Sequence, residues 1–155
     1  MNIGIIVYSE TGNTYSVAQK IKDSISDSGH NIVVKKLETI EKNKKKKDYN
    51  LKEYPDLSKY DLLIFASYVE AFSLSLAMQN YFKDIESLNG KKVFCFVTKA
   101  LFFNWTGGNR AIRQMKRMCK SKGASILGSG IVKWRDKDRE NDIFALLEKV
   151  SNIIT

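Results

Sequence analysis

Ile3-Gly4-Ile5-Ile6-Val7, then Tyr8, then Ser9-Glu10-Thr11-Gly12-Asn13-Thr14: this run near the start of the chain decides the fold. Its first part is a continuous apolar stretch, as expected of a β-strand covered on both faces. Its second part is short and polar, and it leads into Val17, Ile21 and Ile25, whose spacing predicts a helix with one apolar stripe. The polar stretch therefore lies at a helix N-terminus, where unpaired amides and the positive end of the helix dipole stabilise an anion. Ser9, Thr11 and Thr14 add hydroxyl donors, and Gly12 permits close backbone approach. A plain helix cap needs one such residue. Here five of the six positions from Ser9 to Thr14 are hydroxyl, amide or glycine, which points to a phosphate. The nucleotide-hydrolase loop would require a Gly-Lys-Ser/Thr ending and the dinucleotide fingerprint three spaced glycines; the stretch has neither.

Outward from this run, apolar stretches at Ile32 to Val34, Leu62 to Ala66 and Val93 to Val97 are also continuous, and predict further central parallel strands. A fifth, Ile126 to Val132, is interrupted by Gly128 and Gly130, which suits an edge strand or a bulge. Helical spacing recurs at Met78, Phe82 and Ile85, at Ile112, Met115 and Cys119, and at Ile143, Leu147, Val150 and Ile154. Gly29 and Gly123 stand where helix C-terminal glycines belong. The alternation of strand and helix predicts an α/β fold, a three-layer doubly wound sheet of five parallel strands in the order 2-1-3-4-5. Ligands of such sheets bind beyond the carboxyl ends of the strands. Residues 39 to 59 break the alternation, and predict a long surface connection with little regular structure and room for a short helix.

A length of 155 residues with 43% hydrophobic content fits one domain spanning 1–155. The start of the chain carries no basic leader, and no apolar stretch approaches the roughly 20 residues needed to cross a bilayer, so a cytoplasmic protein without membrane insertion is expected. Cys95 and Cys119 suggest buried thiols rather than a disulfide framework or metal cluster. The single histidine, His30, leaves no material for a His-based metal site or a Ser-His-Asp triad. The formal charge is +9, with much of the excess in the run Lys42-Asn43-Lys44-Lys45-Lys46-Lys47, expected to be a solvated loop. Such a charge attracts anionic partners.

The run Ser9 to Thr14, followed by Ala18, resembles the phosphate loop of flavodoxins, Ser/Thr-x-Thr-Gly-Asn-Thr with an alanine in the first helix. The resemblance implies bound FMN, its phosphate held by Ser9, Glu10 (through its amide), Thr11, Gly12, Asn13 and Thr14. An aromatic residue is usual two before the serine, whereas this chain has Val7 with Tyr8 beside it. The Glu10 carboxylate is expected to point outward to solvent, away from a phosphate dianion.

The resemblance extends over nearly the whole chain, since two more loops fall where the family grips the isoalloxazine ring. The first is Ser67-Tyr68-Val69-Glu70-Ala71-Phe72-Ser73, of which Ser67 to Phe72 are candidate contacts, Tyr68 and Phe72 foremost. The second runs from Thr98, Lys99 and Ala100 through Leu101-Phe102-Phe103-Asn104 to Trp105, Gly107, Gly108 and Asn109, with Trp105 first in line for stacking. Flavodoxins often carry a glycine in the first of these loops, where a peptide flip stabilises the one-electron state; Ser67 to Ser73 contains none. A side chain at positive φ costs roughly 1–2 kcal/mol, so weaker stabilisation of that state is expected. The family is also commonly acidic, whereas this chain is basic, and Lys99 near the ring would make its potential less negative.

These residues support an FMN-binding electron carrier serving redox proteins with acidic docking surfaces. The alternative is an FMN-dependent NAD(P)H oxidoreductase acting on a quinone or similar acceptor. A nucleic-acid footprint is disfavoured, because the lysines concentrate in one loop without a recognition motif and leave Ser9 to Thr14 unexplained.

Overall fold

A computed structural model describes residues 1–43, 48–100 and 106–155. Strands β1 (Asn2–Val7), β2 (Asn31–Lys36), β5 (Leu62–Glu70), β7 (Lys92–Lys99) and β8 (Ser125–Lys133) form one parallel sheet in the order β2-β1-β5-β7-β8. This is the order expected from the alternation of elements. Helices α1 (Asn13–Ser24), α2 (Leu76–Asp84), α3 (Gly108–Ser121) and α4 (Arg139–Ile154) supply the outer layers.

Strand alternation divides the core in two. Ile3, Ile5, Val7, Leu62, Ile64, Ala66, Phe94 and Phe96 pack with α1 and α4, whereas Ile6, Leu63, Phe65, Val93, Cys95 and Val97 pack with α2 and α3. Both faces of β1, β5 and β7 are buried, which is why their sequences are apolar without interruption. Each fully buried large side chain here contributes about 1.5–3 kcal/mol relative to exposure. Cys95 and Cys119 are buried free thiols. No helix among the described residues is long and apolar enough to cross a membrane.

Three elements depart from expectation. Ile32 to Val34, read from its unbroken apolar run as a central strand, takes instead the edge place that the order 2-1-3-4-5 gives it, with its side chains half-buried. The region from residue 39 contains an antiparallel pair, β3 (Thr39–Asn43) with β4 (Asp48–Leu51), in place of an irregular connection. The lysines 44–47 of the basic run lie outside the described residues. Finally, β5 continues through Glu70 and turns back into a short antiparallel strand, β6 (Ser73–Leu74), so Ser67 to Glu70 belong to a strand rather than a loop. At the far edge, β8 carries a bulge: Val93 pairs Ile126 and Phe94 pairs Gly128, leaving Leu127 as the extra, exposed residue.

Candidate functional site

The carboxyl ends of β1, β5 and β7 bring the expected residues to one end of the sheet. After β1 the chain turns at Gly12, whose φ of 91° is a left-handed conformation, and the first helical bond of α1 runs from Ser16 N to Gly12 O at 2.9 Å. The amides of Asn13, Thr14 and Tyr15 precede that bond, and no side chain caps the helix. Ser9 accepts from Gly12 N at 3.1 Å and shapes the turn. A Cβ built on Gly12 would meet nothing within 4 Å, so the turn faces open space. Free first-turn amides around an open left-handed glycine form a cradle that fits a phosphate.

Strand register ties this loop to the rest of the site. Thr98 continues the β7 face of Phe94 and Phe96, and its hydroxyl meets the buried Thr14 hydroxyl at 2.8 Å. Lys99 falls on the opposite face beside α3; it is 5% exposed, and its ammonium donates to Thr106 Oγ1 at 3.3 Å. Burial, and then the Lys133 charge, hold its pKa below the usual lysine range. Ser67 faces the core, where its hydroxyl pairs at 2.7 Å with Ser75, the residue whose side chain caps α2. Val69 pairs with Leu74 across the β5–β6 turn. Thr11, Ala71, Phe72, Ala100 and Asn109 are exposed at the rim. Residues 101–105, with the stacking candidate Trp105, lie outside the described residues.

Ala71 and Phe72 form the two-residue turn between Glu70 and Ser73, with φ values of 46° and 63°. Two positive φ values are the signature of a type I′ hairpin turn, normally made by Asn-Gly. The positive φ that the glycine-free segment was expected to resist is thus already present in the turn. Against it sits Gly107, with φ 93°; a Cβ there would lie 2.3 Å from the Phe72 carbonyl carbon. The two expected ring-side segments therefore touch through backbone, and only glycine fits at the contact.

Glu10 is exposed, as expected, yet its carboxylate does not simply point away: it accepts from the Tyr68 hydroxyl at 2.8 Å. Glu70 lies 3.4 Å from the same hydroxyl. Burial, followed by the bond to Glu10, raises the Tyr68 pKa well above the usual tyrosine range. Tyr8 stacks on Tyr68 with ring centroids 5.7 Å apart, and burial raises its pKa too. Sequence reasoning placed Tyr8 only beside Val7; its role as a wall appears once β1 and β5 are paired. Tyr8, Ser9, Glu10, Thr39, Tyr68 and Glu70 enclose part of a cavity of about 470 Å³. A larger cavity, of about 540 Å³, lies near the amino end of β7 beside Lys91, away from these loops.

The family model described as "Flavodoxin" matches residues 5–146. The fold is similar to that of a flavodoxin from Streptococcus pneumoniae TIGR4, at 18% identity and TM-score 0.69 over 99% of each chain. It is likewise similar to the two-electron-reduced flavodoxin of Megasphaera elsdenii, at 20% identity and TM-score 0.69, covering 97% of this chain and 98% of that one. A third is the Fusobacterium nucleatum flavodoxin bound to flavin mononucleotide, at 13% identity and TM-score 0.66 over 99% of each chain. No curated protein matches the sequence. The uncapped loop after β1, the strand order and the match over residues 5–146 agree, and the chain belongs to the flavodoxin family.

Proposed function

We propose that this chain is an electron carrier built on FMN. The cofactor is FMN: the first-turn amides of α1, with Ser9 and Thr14 behind them, fit its phosphate, and the segments that meet at Phe72 and Gly107 border the ring side. FMN supplies one- and two-electron redox chemistry, while the protein binds, orients and tunes it. The observation that carries this reading is the uncapped α1 N-terminus at an open, left-handed Gly12 beside the hydroxyls of Ser9 and Thr14. Of the other helices without a side-chain cap, α3 follows Gly107, which is pressed on backbone, and α4 follows the acid Asp138. The direct test is an absorbance spectrum of the purified protein after adding FMN and removing the excess by gel filtration. Retained flavin bands are expected; a colourless protein would overturn the assignment.

Lys99 supports a potential less negative than that of acidic flavodoxins. Its buried ammonium sits beside Thr106, at the edge of the ring-side segment, where a cation favours the negatively charged reduced state. Lys99→Gln should lower the potential by on the order of 40 mV, the equivalent of ~1 kcal/mol for one electron. Because its pKa is held down, raising the pH should discharge Lys99 before ordinary lysines and add to the fall in potential that proton-coupled flavin reduction shows in both proteins, so the potential should drop more steeply in the wild type than in the variant. A redox titration showing equal potentials in both proteins would remove Lys99 from this role.

A second reading rests on the cavity beside Tyr8 and Tyr68, which adjoins the phosphate loop and has room for a small molecule. It is an FMN-dependent reductase passing electrons from NAD(P)H to a quinone. Steady oxidation of NADPH or NADH with a quinone, with no added reductase, would favour it over the carrier.

A further inference from the structure

Helix α3 carries Arg110, Arg113, Lys116, Arg117 and Lys120 and no acidic residue, alone among the four α-helices. Arg110, Arg113, Arg117 and Lys120 follow the three- and four-residue spacing that places side chains on one helical stripe. All four are exposed, whereas Ala111, Ile112, Met115 and Cys119 are buried against the sheet. Like charges at these spacings destabilise a helix. Elsewhere the chain relieves such charge locally: Lys20 pairs with Glu140, Lys52 with Glu38 and Lys133 with Asp136. Among the described residues, no carboxylate pairs with a cation of α3.

The patch continues sideways and towards the site. A groove of about 360 Å³ beside α3 is lined by Arg113, Lys116 and Lys149 with Asn109, Ser129 and Ile131, and by no acid. At the helix start, α3 begins at Gly108, next to Gly107 on the Phe72 backbone, and the Phe72 side chain is 51% exposed. An aromatic tip with a charged stripe leading away from it is the composition of a docking interface, in which apolar anchors sit beside polar rims.

We infer that the solvent face of α3, with the Phe72 tip, is the docking surface for a redox protein that is acidic around its own redox centre. This rests on the electron-carrier reading above. The complementary charges steer the encounter, and the run of α3 guides the partner towards the ring-side segments. A nucleic acid suits the surface less well. α3 packs along β7 and β8 and offers a single stripe rather than a projecting helix that enters a groove, and the stripe leads to a redox site that a nucleic acid has no use for.

The test uses an acidic plant-type ferredoxin, reduced beforehand, mixed with the oxidised FMN-loaded protein in a stopped-flow instrument. Each reduced cluster loses one electron and the bound flavin gains it; two transfers, with proton uptake from solvent, complete the reduction. The wild-type second-order rate should fall steeply with added salt. Arg113→Glu/Arg117→Glu/Lys120→Glu should be slower by about tenfold or more at low salt, and the corresponding glutamine variant intermediate, while dithionite reduces all three alike. The glutamine variant keeps the comparison usable if the charge reversal disturbs folding. Equal rates for wild type and variants, or a wild-type rate indifferent to salt, would overturn the inference. Should the wild type retain no FMN, the electron-carrier reading fails separately, and calorimetric titration of ferredoxin into the flavin-free protein then reads docking alone: binding lost in the glutamate variant supports the surface, and no binding overturns it. A short DNA duplex bound at physiological salt by the wild type and lost in the variant, with ferredoxin unaffected, would likewise overturn it in favour of nucleic acid.

Discussion

The turn from Ser9 to Thr14 takes its shape within a few consecutive residues: Ser9 accepts from Gly12 N, and Gly12 carries the backbone into α1. The wall opposite has no such local cause. Ala71 and Phe72 hold positive φ without a glycine or asparagine, and what meets them is Gly107, far along the chain. Both places use a left-handed glycine, but Gly12 opens onto space whereas Gly107 is pressed on backbone. The first turn is a property of local sequence, the second of tertiary contact, so the two should respond differently to the same substitution.

The largest expected effect comes from that difference. Gly107→Ala adds a methyl 2.3 Å from the Phe72 carbonyl carbon in addition to the strain of positive φ, and should destabilise the protein by about 2–5 kcal/mol. Gly12→Ala meets the φ penalty alone, about 1–2 kcal/mol, and should instead weaken FMN retention, since the methyl projects into the open cradle. Urea unfolding of both variants measures the gap. Equal losses would show that the Phe72 contact is looser than the geometry indicates.

Between the two regions stands the bond joining Thr14 to Thr98, which fastens the loop from Ser9 to Thr14 to β7. Thr14→Val keeps the shape but leaves the buried Thr98 hydroxyl without its partner, a loss of about 1–3 kcal/mol. Thr98→Val in the same background should cost little more, because both partners are then apolar. If the double variant is as unstable as the sum of the singles, the hydroxyls act independently and the fastening does not exist.

Sequence periodicity revealed what local chemistry determines: the apolar runs, the four helical stripes, the bulge implied by Gly128 and the loop from Ser9 to Thr14. It did not reveal the β3–β4 pair, because lysines and polar residues at Thr39 to Leu51 give no alternating apolar signal for a hairpin standing apart from the main sheet. The β5–β6 turn was hidden for another reason. Ala-Phe carries none of the residues that normally mark positive φ. The Tyr8–Tyr68 stack and the Glu10–Tyr68 bond depend on strand pairing and so lie beyond any local signal.

The smallest expected effect tests whether that hidden turn is imposed by its surroundings. Ala71 is exposed and its φ is 46°, so the native backbone favours Ala71→Gly and only the entropy of the unfolded chain opposes it. Relief of about 1–2 kcal/mol of left-handed strain is partly offset by the greater freedom glycine gains in the unfolded chain, about 0.5–1 kcal/mol. The variant should therefore be more stable by roughly 0.5–1 kcal/mol, read as a higher urea midpoint at unchanged slope. That gain should persist in a Gly107→Ala background only if the turn keeps its conformation there. Loss of the gain would mean that Phe72 and Gly107 together impose the turn, and that its strain belongs to the contact rather than to the hairpin.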